Sequence, residues 1–81
     1  MIQDSQTLIF AKDISQKYRI PYSTVNHYTN LGFFSVVRRR GNKRLYDEQE
    51  IKTQLDRVWQ LSNEGYPLRL IRKKIIKLEQ G

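Results

Sequence analysis

The stretch that decides the fold is Arg38-Arg39-Arg40-Gly41-Asn42-Lys43-Arg44. It carries five cationic side chains and lies between two apolar segments, residues 33–37 and residues 45–46. Gly41 and Asn42 at its centre favour a tight turn, because glycine tolerates positive φ and asparagine bonds its own backbone. The pattern predicts a β-hairpin with a cationic tip. A solvated run of charge on a flexible loop is the alternative interpretation.

Two short helices are predicted before the hairpin. Residues 10–18 place their apolar side chains at helical spacing, with Lys, Asp and Gln on the other face. Pro21 then interrupts the pattern, because proline has no backbone N–H to donate, although it is accepted where a new helix begins. A second helix is expected from about residue 22 to residue 30, and Gly32 can take the left-handed conformation that ends it.

Two further helices are predicted after the hairpin. Asp47-Glu48-Gln49-Glu50 has the spacing of a capping box and places acidic groups at the positive end of a helix dipole. The third helix should span about 48–63 and end before Gly65, and Pro67 should open the fourth. The buried stripe expected for the third helix is Ile51, Leu55, Val58 and Trp59. The apolar face expected for the fourth is Leu68, Ile71, Ile75 and Leu78.

This order of elements is that of a winged helix-turn-helix. We therefore expect a mainly α fold of four helices plus a small β-hairpin wing, forming one domain over residues 1–81 with disordered ends at 1–7 and 79–81. Eighty-one residues leave room for only one small core. In this architecture the second helix enters the major groove of DNA and the hairpin lies against the flanking backbone.

The charge balance indicates a polyanionic partner. Fifteen Lys and Arg against eight Asp and Glu give a net charge of +7, and residues 38–44 contribute five of the positive charges. Double-stranded DNA is the partner expected first. RNA is less favoured, because the aromatic residues have core spacing and form no exposed stacking face. A protein-interaction adaptor, with the wing on an acidic partner surface, stays open.

Several other classes of function are excluded or disfavoured by the residue inventory. The chain has no cysteine, and a single histidine, His27, cannot build a zinc site alone, so no metal or other cofactor is expected. No nucleophile stands beside a base and no Gly-rich phosphate loop is present, so an enzyme is not expected. The sequence shows no secretory signal and no apolar run long enough to span a bilayer. We expect a cytoplasmic, nucleoid-associated protein without a membrane partner.

Polar residues in the second predicted helix are the candidates for base and phosphate contacts. Small hydroxyl side chains allow close approach to the groove, asparagine pairs with adenine edges, and histidine and tyrosine donate to bases or phosphates. The simpler interpretation is that Ser23 and Thr24 cap the helix, His27 is solvated and Tyr28 packs in the core. The candidate DNA-binding residues of this helix are Tyr22, Ser23, Thr24, Asn26, His27 and Tyr28.

The cationic hairpin residues are the candidates for phosphate binding, because a guanidinium matches phosphate geometry in a bidentate fashion. Alternation along a strand turns some of them away, so about three of the five are expected to touch DNA. The wing candidates are Arg38, Arg39, Arg40, Lys43 and Arg44.

Several motifs together resemble the DNA-binding head of the MerR family of bacterial transcription regulators, over about residues 8–78. They are Ile20-Pro21-Tyr22-Ser23-Thr24-Val25, Tyr28 with Leu31-Gly32-Phe33, Lys43-Arg44-Leu45-Tyr46, Asp47-Glu48-Gln49-Glu50-Ile51, and Glu64-Gly65-Tyr66-Pro67-Leu68 with Ile71. The resemblance implies a head that binds operator DNA as a dimer and acts in transcription. Arg44 matches the wing arginine of the family.

Two features depart from the family pattern. Members usually carry an arginine that grips a phosphate at the position of Asn26, so the resemblance implies that this backbone anchor is weaker or replaced. Members usually continue into a long dimerisation helix, whereas this sequence stops at Gly81. A homodimer is therefore expected only if such a helix follows in the native protein. A stand-alone, excisionase-like architectural DNA-binding protein is the alternative.

Overall fold

The computed structural model describes the backbone of residues 7–80 and the side chains of residues 7–77. The elements within this range are β1 (Leu8–Phe10), α1 (Ala11–Tyr18), α2 (Tyr22–Leu31), β2 (Val36–Arg40), β3 (Lys43–Asp47), α3 (Glu48–Asn63) and α4 (Leu68–Gln80). The mainly helical winged helix-turn-helix is confirmed.

The predicted disorder at residues 1–7 and 79–81 lies largely outside the described residues. Two observations on the described residues concern these ends. The Thr7 carbonyl accepts a hydrogen bond from the backbone N–H of Glu48 at 2.9 Å, and α4 continues to Gln80.

The break between α1 and α2 is closed by local hydrogen bonds. Arg19 takes a left-handed conformation, with φ of 56°, and the N–H groups of Arg19 and Ile20 both donate to the Ser15 carbonyl. The Ser15 hydroxyl donates back to the Ile20 carbonyl at 2.6 Å. Pro21 then stands as the N-cap of α2, and its carbonyl accepts from Val25. The turn is thereby fixed at both ends, which sets the angle at which α2 leaves α1.

The wing is a three-stranded antiparallel sheet in the order β1-β3-β2. The β2–β3 hairpin turns at Gly41 and Asn42 as predicted, and Gly41 has a φ of 62°, the sign that a type II′ turn requires at its first central position. Strand β1 was not predicted, and Phe10 was assigned to the first helix. In the structure Phe10 ends β1 and is the N-cap of α1. The strand was missed because three residues are too few to show an alternating pattern in the sequence.

One buried cluster holds the helices to the sheet. Phe34 lies at its centre, 1% exposed, with its ring edge-on to Tyr28 of α2 at 5.6 Å and to Tyr46 of β3 at 6.1 Å. The other side chains that are at most 2% exposed in this cluster are Ile14, Val25, Phe33, Tyr46, Ile51, Leu55, Val58, Ile71 and Ile75.

The predicted buried stripe of α3 is wrong at Trp59. The indole is 47% exposed, and the buried position is taken by Gln54, which is 1% exposed. With about 100° per residue, positions 51, 54, 55 and 58 centre on one face, and position 59 lies at the edge of that face. Gln54 is satisfied there because its Nε2 donates to the Phe33 carbonyl at 2.9 Å.

The predicted capping box is half correct. The Asp47 side chain caps α3 by accepting from the Gln49 N–H at 3.1 Å. Glu50 does not reach back to Asp47, because its Oε1 accepts from the backbone N–H of Ser35 at 3.0 Å. The acidic first turn of α3 therefore also anchors the segment that leads into the wing.

Glu48 joins α1 to α3 and gives the fold a pH dependence. It accepts hydrogen bonds from the Lys17 ammonium and, at 3.0 Å, from the Tyr18 hydroxyl. These bonds, that of Lys17 first, lower the pKa of Glu48 below its ordinary value of 4.5. Burial, reinforced by the bond to Glu48, raises the pKa of Tyr18 to about 12.

The stabilisation from Glu48 should therefore be present above pH 4.5 and be lost as the pH falls through the lower pKa of the folded state. We expect Glu48→Gln to lower the urea midpoint of unfolding at pH 7, and the difference from the wild type to shrink below pH 4.5. Urea titrations of both proteins at pH 7 and pH 3 measure this. A difference that is the same at both pH values would contradict the assignment.

Candidate nucleic-acid interface

Helix α2 has one face in the core and one in solvent. Val25 is fully buried, while Tyr22, Ser23, His27 and Asn30 are exposed, and Thr24 and Asn26 are half-buried between the two faces. Ser23, His27 and Asn30 lie three to four residues apart and therefore share one side of the helix. Asn30 was missed in the sequence analysis, although the same spacing continued one turn further would have found it.

Tyr28 belongs mainly to the core. Its ring packs edge-on against Phe33 at 5.4 Å and Phe34 at 5.6 Å, and burial raises the pKa of its hydroxyl. The side chain is half-buried and its ring packs in the core, which is the alternative given for Tyr28 in the sequence analysis.

The wing cations divide between the two faces of the sheet. Tyr46 is fully buried and its hydroxyl lies 2.8 Å from that of Thr29 on α2, so its face of β3 is turned toward α2. Arg44 is two residues away on the same strand and therefore on the same face, and Arg39 pairs with Arg44 across the hairpin. Arg39 and Arg44 form the inner pair.

The other three cations alternate to the opposite face of the sheet, but Lys43 stands next to the turn, and its side chain also lines the cavity that reaches Tyr22 of α2. Arg38 pairs with Leu45 and Arg40 pairs with Lys43 across the hairpin. The Lys43 ammonium lies 5.8 Å from the centre of the Phe10 ring of β1. Arg38 and Arg40 form the outer pair, turned away from α2.

Strand β3 contacts α2 through two polar anchors. Arg44 donates through Nη2 to Oδ1 of Asn26, and Tyr46 and Thr29 share the hydroxyl contact. The Arg44 guanidinium also lies over the Tyr46 ring, 5.7 Å from its centre. Asn26 and Thr29 are three residues apart, so the two anchors stack along one side of the helix.

A cavity of about 410 Å³ joins α2, the wing turn and the start of α1. Its lining residues are Phe10, Ala11, Lys12, Asp13, Tyr22, Asn42, Lys43 and Arg44. The N-cap of α1 makes no side-chain capping bond. The cavity thus combines three cationic side chains, a phenol hydroxyl and a helix N-terminus with one carboxylate, that of Asp13, so the net charge of its lining favours an anion. Lys12 had no motif to mark it as part of a site, and Asn42 was identified only as a turn residue.

The carboxyl end of α2 is held by α4. Arg72 donates from Nε to the Leu31 carbonyl at 2.8 Å, in the last turn of α2, where the helix dipole favours a cation. This role of Arg72 was not predicted, because the carbonyl it bonds lies forty-one residues earlier in the chain.

Comparison with known protein families identifies the family of this chain. Residues 11–77, most of the chain, match the family model described as MerR HTH family regulatory protein. The chain belongs to the MerR family. No curated protein and no solved structure gives a significant match.

MerR-family membership makes the chain a DNA-binding helix-turn-helix domain of transcription regulation, as the resemblance implied. The family is a regulatory one and not a family of enzymes. Within residues 7–80, no helix has the length and apolar character to cross a membrane. The described part of the chain also contains no group of three metal-ligating side chains.

Proposed function

We propose that this MerR-family head binds double-stranded DNA sequence-specifically in bacterial transcription, with α2 in the major groove and the wing on flanking phosphates. One observation carries the proposal. The exposed start of α2 and the cationic wing turn line the same cavity, with Tyr22 on one side and Lys43 and Arg44 on the other. A duplex that follows this side of the molecule meets both elements.

The residues divide into two roles. Ser23, His27 and Asn30 form the free face of α2 and are proposed to contact base edges. Tyr22 is 50% exposed beside the wing, and its hydroxyl is proposed to bind a phosphate. The other phosphate contacts are proposed to come from Arg39, Lys43 and Arg44.

The electrostatic part of the proposal predicts a steep dependence on salt. Four phosphates neutralised by cations, those of Lys12 and the three wing residues Arg39, Lys43 and Arg44, give a slope of log K against log salt of about −3.6. A fourfold rise in salt should then weaken binding on the order of 10²-fold. Fluorescence anisotropy of a labelled duplex at several salt concentrations measures the slope. A flat response would reject the electrostatic account.

Sequence specificity is tested by selecting duplexes from a random pool and comparing the recovered site with a scrambled duplex. If α2 contacts bases specifically, we expect the protein to bind the recovered site at least about 10³-fold more tightly than the scrambled one. Absence of binding to any duplex at low salt would favour the adaptor interpretation. Equal binding to both duplexes, with bending of the DNA, would favour the architectural one.

The likeness to dimeric regulators extends the proposal to a homodimer, in which each head contacts one half-site. Half-sites of such dimers are separated by about one helical turn of DNA or a multiple of it. A selected site that contains two inverted copies of one motif at that spacing would support the dimer.

A further inference from the structure

We propose that Asn26 is a positioning residue that orients Arg44 for phosphate binding and so couples the seating of α2 to that of the wing. The inference rests on the proposed function and assigns to Asn26 a role other than reading a base. It follows from the contacts that Arg44 makes in the DNA-free chain.

Arg44 is held from two sides. Asn26 Oδ1 accepts a hydrogen bond from Nη2 of Arg44, and the guanidinium lies over the Tyr46 ring. The Tyr46 ring is fully buried and is bonded through its hydroxyl to Thr29, so the surface beneath Arg44 is rigid. Both Asn26 and Arg44 are half-buried.

This arrangement leaves most of the guanidinium free for a phosphate. Arginine has five N–H donors in a planar fork, and the bond to Asn26 uses Nη2 alone. A long side chain that is already oriented loses less rotamer freedom when it binds. The wing arginine is therefore pre-organised by the helix that reads the groove.

The same contact takes Asn26 away from base recognition. A bidentate pair with adenine needs both the amide oxygen and the amide nitrogen of asparagine. In this chain the oxygen is bonded to Arg44. The exposed Asn30, one turn further along α2, has no such contact with the wing among the described residues, and it serves as a matched control of the same residue type.

A double-mutant cycle on DNA affinity tests the proposal. Anisotropy titrations with the selected duplex would compare the wild type with Asn26→Ala, Arg44→Met and the double variant. We expect Asn26→Ala to weaken binding on the order of fivefold, the size of one hydrogen bond. It should have almost no further effect once Arg44 is methionine. Asn30→Ala should weaken binding by the same factor with Arg44 or with methionine present.

Two further measurements separate positioning from contact. Asn26→Ala should leave the salt slope unchanged, because it removes no phosphate contact, whereas Arg44→Met should make the slope shallower by about 0.9. The side-chain Nη2–H signal of Arg44, from the group that donates to Asn26, should be sharp in the NMR spectrum of the DNA-free wild type. It should also be sharp in Asn26→Asp, which keeps the acceptor oxygen, and broad in Asn26→Ala.

The outcomes distinguish the inference from the function on which it rests. If the wild type binds its selected duplex and Asn26→Ala weakens binding equally in both Arg44 backgrounds, Asn26 contacts DNA by itself and the inference is wrong. An Arg44 signal that does not respond to Asn26→Ala overturns it as well. If the wild type binds no duplex at low salt, the proposed function fails first, and the inference fails with it.

Discussion

Replacing the inner pair, Arg39→Met with Arg44→Met, is expected to weaken DNA binding by at least about 100-fold at low salt. The reason is the loss of two charge-assisted hydrogen bonds to phosphates, each worth about 1.5–3 kcal/mol. The salt slope should become shallower by about 1.8 at the same time. Anisotropy titrations at several salt concentrations measure both quantities.

The outer pair supplies a control with the same change in net charge. Arg38→Met with Arg40→Met removes two positive charges from the face of the sheet that is turned away from α2. We expect this variant to lose only long-range attraction, with binding weakened less than about fivefold. Equal losses for the two double variants would mean that net charge, and not the face of the sheet, governs binding. The assignment of Arg39 and Arg44 to phosphates would then be wrong.

The division of the wing cations shows what the sequence could and could not predict. Gly41-Asn42 between cationic runs was sufficient to predict the hairpin and its turn, because the signal is local. Alternation along a strand also predicted that some cations would face away. Which ones do so depends on the register with β3 and on the irregularity between Val36 and Arg38, which the sequence does not display.

Helices were predicted well for the same reason. The bounds of α3 agree with the expected 48–63, because Asp47 and Gly65 mark its ends. The errors lie where a residue far away in the sequence determines the contacts of a side chain. Glu50 was assigned to a capping box, whereas its partner is the Ser35 N–H, fifteen residues away. Trp59 was assigned to the core because it has helical spacing from Ile51 and Leu55, but it lies at the edge of the buried face and is exposed.

The candidate site was predicted in outline and not in its internal contacts. The α2 residues and the wing cations were named from residue type and position. Asn26 was interpreted as a possible partner of adenine, since nothing in the sequence shows that β3 brings Arg44 to its amide oxygen. That contact joins residues eighteen positions apart and depends on how the sheet packs against α2.

Truncating the central aromatic residue, Phe34→Ala, is expected to have the largest effect on stability. The side chain is 1% exposed, and removing a buried phenylalanine side chain costs about 3–5 kcal/mol through lost burial and the cavity left behind. A domain of this size has a total free energy of unfolding of only about 4–12 kcal/mol, at about 0.05–0.15 kcal/mol per residue. The Phe34→Ala variant should therefore retain only a small free energy of unfolding at 37 °C.

Urea unfolding followed by far-ultraviolet circular dichroism measures this loss, with Phe34→Leu as the control. Leucine retains most of the apolar volume, so its cost should stay below about 1.5 kcal/mol. An equally small cost for Phe34→Ala would show that Phe34 does not support the core as its burial implies.

The same substitution also tests how the interface is built. Phe34 packs against Tyr28 of α2 and against Tyr46 of β3, so one side chain supports both α2 and the strand that carries Arg44. At a temperature where Phe34→Ala is still folded, we expect its DNA affinity to fall further than that of Phe34→Leu, because the helix and the wing lose their common support. Affinity equal to that of the wild type in the folded variant would mean that the two polar anchors between α2 and β3 are sufficient to hold the interface.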